Sequence, residues 1–475
     1  MTAASLSIRN NHTLGRDHHT LGSLRADLLF ASRPALYEPT CSLRTNPVFT
    51  NQLRVTNQHP RGPTVLTGGR KGRIMHDYHG ISSLIETAIA AESLGGASIC
   101  VIKNGNIQLL EGYGADNVDS IYKVYSMTKV FTAVVTFELV EEGVIALSDP
   151  VAKYLPEFAN RLVFNAEGGL EVERTPLTIQ HLLNMTSGIP YPFPGTASQR
   201  HMEALEAEEI ARAAAGIPFT TLSACRKMAR IPGSFEPGRG WEYGAGADLL
   251  GGVLEVATGK TLDVLYEERL FQPLGMADTG FCIPLEKTER AATQWHRDPV
   301  FTRVTRAGAP IRDAQGADML TLMAPVAEID VVPPAFLAGG GGCYSTARDF
   351  VRVLQLLLND GEFEGVRLLR PETVEFMRTP QLNEEQMRAK AADGVGAGVP
   401  GYSYSNLLRI LVDPSEARSL GVNGHAGEYG WDGAGGNFCL VDPSIGVAAV
   451  FMMQNFEGAE PVLRRQLYKA IVADD

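Results

Sequence analysis

The spacing of apolar residues changes several times along the chain, and each change predicts an element. Over residues 80–93 (ISSLIETAIAAES follows Gly80) the apolar positions recur at helical spacing. Two short runs rich in β-branched residues follow, 97–103 (ASICVIK) and 107–113 (IQLLEGY), separated by Asn104-Gly105. Asn-Gly between two such runs signals a tight hairpin turn. In VFTAVVTFELVEEG, Val130, Val134, Phe137 and Leu139 fall roughly on one side of a helix that Gly143 ends. Residues 150–335 read as helices and loops, with helices expected at 179–184, 201–214, 247–258 and 262–271. Pro and Gly clusters at 190–195, 232–240 and 333–342 punctuate them. A helix near 347–358 opens the last third. Two strands, about 437–441 and 447–454, turn at Asp442-Pro443 and lead to a terminal helix at 462–472. Strands near both ends and helices between them predict one α/β unit over 75–475. Its sheet part is expected from about 75–150 and 335–475, with a mostly helical insertion over about 151–334.

Composition narrows this picture. Of 475 residues, 44% are hydrophobic and 20% charged, the balance of a globular protein. The longest late apolar run, 445–453, suits a buried strand, and no run approaches the ~18 residues that cross a bilayer. Neither a membrane helix nor a membrane partner is therefore expected. The net charge of −12 is unevenly placed: residues 1–74 hold ten Lys/Arg and three acids, a net of +7, which leaves −19 for the rest. A body this acidic repels phosphate backbones, so nucleic acid is not an expected partner. Residues 1–74 show no sustained period and read as an extension, either disordered or preceding a true start at Met75. Their basic, acid-poor composition is also compatible with an organelle transit peptide. The six cysteines are scattered, with no CxxC, and are expected to be reduced thiols in a cytoplasmic setting.

Candidate chemistry centres on Ser126 and Lys129. Three apart on a helix, their side chains share a face. A serine hydroxyl needs a neighbour to take its proton, and a lysine can serve if burial or nearby charge suits it. S-x-x-K alone is a weak signal, and Ser120 with Lys123 repeats it in a segment that reads as loop and strand, where such residues point apart. A serine at this place can equally be a simple cap. Other chemistries lack their motifs. There is no G-x-S-x-G, no H-E-x-x-H and no phosphate-binding G-x-x-x-x-G-K-[ST]. His76 and His79 form an H-x-x-H without an obvious third ligand and read as surface histidines. The Gly339 to Gly342 run reads as a tight turn into a helix capped by Ser345 or Thr346.

Several segments, in order, resemble those of the serine β-lactamase-like proteins: class C β-lactamases, DD-peptidases and related esterases. They are VYSMTKVFTAVVTFELVEEG, LTIQHLLNMTSGIP, PGRGWEYGAGADLLGGVLEVATGK, GGGGCYSTARDFVRVLQLLLNDG and YGWDGAGGNFCLVDPSIGVAAVFMMQN. The resemblance covers about residues 76–475. It implies an antiparallel sheet flanked by helices, the β-lactamase/transpeptidase fold, with a serine nucleophile and no cofactor. It implies Ser126 as nucleophile, with Lys129 and Tyr243 sharing the roles of base and acid in an order the residues leave open. The usual Tyr-x-Asn is here Tyr243-Gly244-Ala245, without the amide. The third motif is matched by Trp431-Asp432-Gly433, which would border the substrate, with His425-Ala426-Gly427 as a rival. Trp431 would line the acyl pocket or simply pack. The backbone amides of Ser126 and Ala434 would form the oxyanion hole. Loss of the Lys-Thr-Gly lysine removes a carboxylate anchor, which favours carboxylic esters as small-molecule substrates. Amides, peptides and β-lactams, acyl transfer, or an inactive scaffold are the alternatives.

Overall fold

The computed structural model describes residues 78–473, apart from positions 194 and 420 and segments 298–303, 307–328, 394–398 and 456–460. Segment 1–74, Met75, Cys41 and the side chains of the His76/His79 pair lie outside the described residues.

The elements that position the site are helix α1 (His79–Ala90), the hairpin β1 (Gly96–Lys103) and β2 (Asn106–Gly114), and helix α2 (Thr128–Glu141). Helices α3 (Ala197–Ala214), α4 (Thr221–Met228), α5 (Gly246–Thr258) and α6 (Ala347–Leu358) follow. Strands β3 (Tyr402–Ser405), β4 (Leu408–Leu411), β5 (Tyr429–Asp432), β6 (Phe438–Asp442) and β7 (Val447–Met452) come next, and helix α7 (Pro461–Ile471) is last. The seven strands form one sheet in the order β3-β4-β5-β6-β7-β1-β2, antiparallel throughout. The two segments far apart in sequence meet where β1 pairs with β7, Ser98 opposite Met452 and Lys103 opposite Val447. Asn104 and Gly105 both take positive φ (50° and 77°) in the β1–β2 turn, which asparagine and glycine tolerate best.

Both faces of the central strands are covered, which explains their unbroken apolar sequence. Ala97, Ile99 and Val101 of β1, Phe438 and Leu440 of β6, and Ala449 and Phe451 of β7 pack under α1 and α7. Their neighbours Cys100, Ile102, Cys439, Val441, Val450 and Met452 face the larger core with α2 and α6. Side chains alternate across a strand, so two buried faces require apolar residues at every position. Helix α2 is also buried nearly all round, Thr128 to Phe137 without a break. That is why its apolar stripe is poorly defined in the sequence.

Some boundaries differ from the pattern. The helix expected at 201–214 starts at Ala197, because Thr196 accepts from the Gln199 amide and Gln199 reaches back in a capping box. The expected 262–271 helix is one α-turn, Leu262–Tyr266, followed by a π-turn, Glu267–Phe271. Helix α4 and strands β3 and β4 carried no clear period. The turn between those strands rests on Asn406 and Leu407, both at positive φ (52° and 67°), and a leucine there gives no turn signal. The described cysteines are free thiols, all buried but the half-buried Cys282.

A polar seam ties the edge of the sheet to α7. Arg409 pairs with Asp432 and donates to the Tyr468 hydroxyl at 2.7 Å, while Arg464 reaches Asp432 at 2.5 Å. Glu428, wholly buried, accepts from Tyr468 at 2.6 Å and Tyr402 at 3.2 Å. Burial pushes its carboxyl up to about 7, against the pull of Arg409. The folded protein therefore keeps a proton that the unfolded chain releases near its ordinary pKa, and stability falls as pH rises between about 4.5 and 7. Glu428→Gln keeps an acceptor for the two tyrosines and removes this pH dependence. Denaturant titrations at pH 5 and pH 8 should show the variant losing less stability than wild type over that interval, by about 3 kcal/mol at most.

Candidate active site

The chain approaches the site through Tyr122–Lys123, a short strand paired with Tyr344–Ser345, and Val124 donates to the Cys343 carbonyl at 2.9 Å. A single 3-10 turn, Tyr125–Met127, then carries Ser126 directly into α2, whose first turn holds Lys129. Ser126 thus precedes the helix expected to contain it, yet the three-residue spacing still brings Lys129 Nζ to 3.3 Å from Ser126 Oγ. Tyr125, just before the serine, sits at φ +47°, a costly conformation for a tyrosine. Its ring lies against Gly435 and its hydroxyl accepts from Gln454 at 3.2 Å, and these contacts hold it. The second S-x-x-K pair is built differently: Lys123 faces Asp330 at 3.5 Å, and Ser120 accepts from the Asn117 amide at 2.9 Å.

Tyr243 arrives from the loop before α5. Its hydroxyl is 2.7 Å from Ser126 Oγ, and Lys129 Nζ lies 4.9 Å from its ring centroid. An aromatic box fixes the ring: Trp431 at 5.6 Å, Tyr191 at 5.5 Å and Trp241 at 6.5 Å between centroids. Ser126, Lys129 and Tyr243 therefore converge. Position 245 is an alanine that lines the cavity, and Gly244 is required beside it because a Cβ there would fall 2.0 Å from the Ile189 carbonyl.

Lys129 is completely buried. Its Nζ donates to the Gly340 carbonyl at 2.7 Å, to Tyr191 Oη at 3.2 Å and to Ser126 Oγ. Three acceptors match the three protons of an ammonium. Behind them lies Asp248, in the first turn of α5 and also buried. Its Oδ1 accepts the Gly340 amide at 2.8 Å and its Oδ2 the Tyr191 hydroxyl at 3.1 Å. One carboxylate thus fixes both of the groups that hold Lys129 from behind. Burial pushes the Tyr191 phenol well above its ordinary range, with Asp248 adding to it, so Tyr191 stays protonated and donates. Burial also raises Asp248, and Lys129 pulls it back down. The sequence reasoning missed Tyr191, Gly340 and Asp248. Asp248 alone left a trace, as an acid inside the apolar stretch GADLLGGVLEVA.

The Trp431-Asp432-Gly433 segment ends β5 beside the serine. Trp431, Gly433 and Ala434 line the same cavity as Ser126 and Tyr243. Asp432 also borders it, with its carboxylate turned to Arg409 and Arg464. Trp431 both borders the cavity and packs on Tyr243 and Tyr404. Gly433 permits close approach: a Cβ there would lie 2.5 Å from the Val124 carbonyl. That close approach sets the backbone at residue 433 against Val124, two residues before Ser126. The rival motif is engaged elsewhere, with His425 Nδ1 2.7 Å from Asp442.

A family model described as Beta-lactamase matches residues 81–474. The chain belongs to the beta-lactamase family. Among curated relatives, Protein Rv1367c of Mycobacterium tuberculosis is 32% identical over 71% of this chain and 78% of its own length. Esterase EstB of Burkholderia gladioli is 30% identical over 83% of this chain and 94% of its own. Among solved structures, EstCE1, described as a hydrolase with promiscuous acyltransferase activity, superposes with a TM-score of 0.65 at 23% identity. That match covers 83% of this chain and 98% of EstCE1, and supports the fold. Serine-hydrolase or acyltransferase-type activity on ester substrates occurs within this superfamily, as the names of EstB and EstCE1 indicate.

Two variants probe the beta-lactamase-fold site. Asp248→Asn removes the charge behind Tyr191 and Gly340 while keeping the side chain's shape. Steady-state kinetics should show kcat falling roughly 10- to 100-fold with KM changed less than about threefold. Gly433→Ala should force the backbone at 433–434 away from Val124. A loss of about 1–3 kcal/mol in stability, with a fall in kcat larger than that of an alanine placed elsewhere on β5, is the expected outcome of denaturation and kinetics.

Proposed function

We propose that this chain is a serine esterase that cleaves carboxylic esters through an acyl-Ser126 intermediate. One observation carries the reading: Ser126 Oγ lies between the Tyr243 hydroxyl at 2.7 Å and Lys129 Nζ at 3.3 Å, at the wall of a cavity. Lys129 has acceptors for all its protons, so it acts as a donor and electrostatic partner, and Tyr243 is the group free to exchange a proton with the serine. The step takes Tyr243 in its phenolate form beside the Lys129 ammonium: as Ser126 Oγ bonds to the ester carbon, its proton moves to the Tyr243 oxygen and the carbonyl π pair moves onto the carbonyl oxygen. The carbonyl oxygen becomes an oxyanion held by the Ser126 and Ala434 amides. The C–O bond to the alcohol then breaks, and Tyr243 returns the proton to the departing oxygen. Water repeats the sequence in reverse: its proton passes through Tyr243 back to Ser126 as the acid is released.

The esterase name of the Burkholderia relative supports ester rather than lactam substrates. So does Trp431, standing where β-lactamases carry a lysine, with Asp432 beside it already paired to arginines. An alcohol could replace water as acceptor, and the description of EstCE1 supports that second outcome of the same intermediate.

Hydrolysis of p-nitrophenyl butyrate by wild type and three variants tests the reading. Ser126→Ala should lose at least about 10⁴-fold in kcat while melting like wild type, since it removes the attacking oxygen and little packing. Tyr243→Phe should lose about 10²- to 10⁴-fold, the range of a general base. Lys129→Ala should be similarly impaired and less stable. Undiminished turnover by a folded Ser126→Ala protein contradicts the mechanism.

A further inference from the structure

The cavity beside Ser126 is far larger than an ester bond requires. Its volume is about 450 Å³, within the ~300–1,000 Å³ range of sites that enclose a whole drug-sized ligand. The catalytic groups form one part of its wall. Another part comes from the helical insertion, with Met202 and Leu205 of α3, Ala224 and Met228 of α4, and Phe219 and Phe336 from two loops. The two phenylalanine rings pack at 5.0 Å between centroids. Their loops are tied together, Thr221 N to the Ala335 carbonyl at 3.2 Å and Leu337 N to Thr221 Oγ1 at 2.9 Å. Glu206 and Glu209 of α3 also reach this wall, and Lys227 and Arg212 pair with Glu209. The wall supplied by β5 and α7 is different in kind, with Asp432 and the partly exposed Arg464.

We propose that the insertion forms an acyl-chain arm, and that the substrates are esters of apolar acids of about eight to twelve carbons. This rests on the ester reading above. The acyl group stays bonded to Ser126 between the two half-reactions, so a chain buried among Met202, Leu205, Ala224 and Met228 remains sheltered throughout. The alcohol must leave, and the polar side with Arg464 suits its departure. Each methylene buried in the arm should favour the transition state roughly three- to fourfold.

The test measures kcat/KM for p-nitrophenyl acetate, butyrate, octanoate and dodecanoate, and separately for the acetates of ethanol, butanol and octanol. Intact-protein mass spectrometry on wild type and Ser126→Ala runs in parallel. Octanoate should exceed acetate by at least about 100-fold, while the alcohol series changes less than about tenfold. Ala224→Trp, which fills the arm, should lower the octanoate-to-acetate ratio at least about tenfold. Phe219→Ala, at a half-buried loop position, should lower the same ratio without crowding the core. A flat or falling acyl series with Ser126-dependent acetate turnover overturns the arm and leaves the ester reading standing. A rise confined to the alcohol series overturns the acyl assignment. No Ser126-dependent turnover of any ester overturns the parent reading, and the arm with it.

Discussion

The structure depends on keeping one ammonium out of water. An isolated buried cation is among the most expensive groups a protein can carry. Lys129 is tolerable because every proton on Nζ has an acceptor and a carboxylate lies one hydrogen bond beyond. These partners come from distant parts of the chain: the acceptors Gly340, from the turn before α6, and Tyr191, from the loop before α3, and behind them Asp248 from α5. Satisfying Lys129 therefore fixes the insertion against α2 and the sheet. Ser126 Oγ is the third acceptor on Nζ, so the same constraint that stabilises the lysine orients Ser126.

The sheet supplies the other half of the arrangement. Strand β5 and its turn can lie against the serine only because residue 433 has no side chain and Val124 occupies the space. The hydrogen-bonded register of β5 with β6, Trp431 opposite Cys439 and Asp432 opposite Phe438, then determines where the Ala434 amide falls. Helix α7 braces β5 through Arg464 on Asp432, and its Tyr468 holds Arg409 of β4 and Glu428 just before β5. Ser126, Lys129 and the 433–434 backbone thus rest on a core helix and the sheet, while the insertion supplies Tyr243, Tyr191 and Asp248 as well as the far wall of the cavity.

Much of this was legible in the sequence, for reasons that differ by element. The β1–β2 hairpin and the closing β6–β7 pair announced themselves through Asn104-Gly105, Asp442-Pro443 and apolar runs, because turn chemistry and double-sided burial leave local signals. Ser126, Lys129 and Tyr243 were found through ordered motifs and do meet in space. Tyr191 and the Gly340 carbonyl could not be found that way: one is a tyrosine in a Pro-rich loop, the other a backbone oxygen whose role exists only once the chain has folded. Asp432 illustrates the opposite limit. Its place beside the cavity followed from the motif, but its two arginine partners, Arg409 on β4 and Arg464 on α7, are tertiary neighbours that no spacing reveals. Helix α4 and the β3–β4 pair were missed because their few apolar positions and a left-handed leucine give no period or turn residue to read.

The most direct test of the central claim is a crystal structure of the protein after reaction with an alkyl fluorophosphonate, whose tetrahedral phosphorus stands in for the attacked ester carbon. The account predicts a single covalent bond to Ser126 Oγ. The phosphoryl oxygen should lie within hydrogen-bond distance of both the Ser126 and Ala434 amides, with Lys129 still held by Gly340 and Tyr191. Labelling at any other residue, or a phosphoryl oxygen directed away from Ala434, would contradict it.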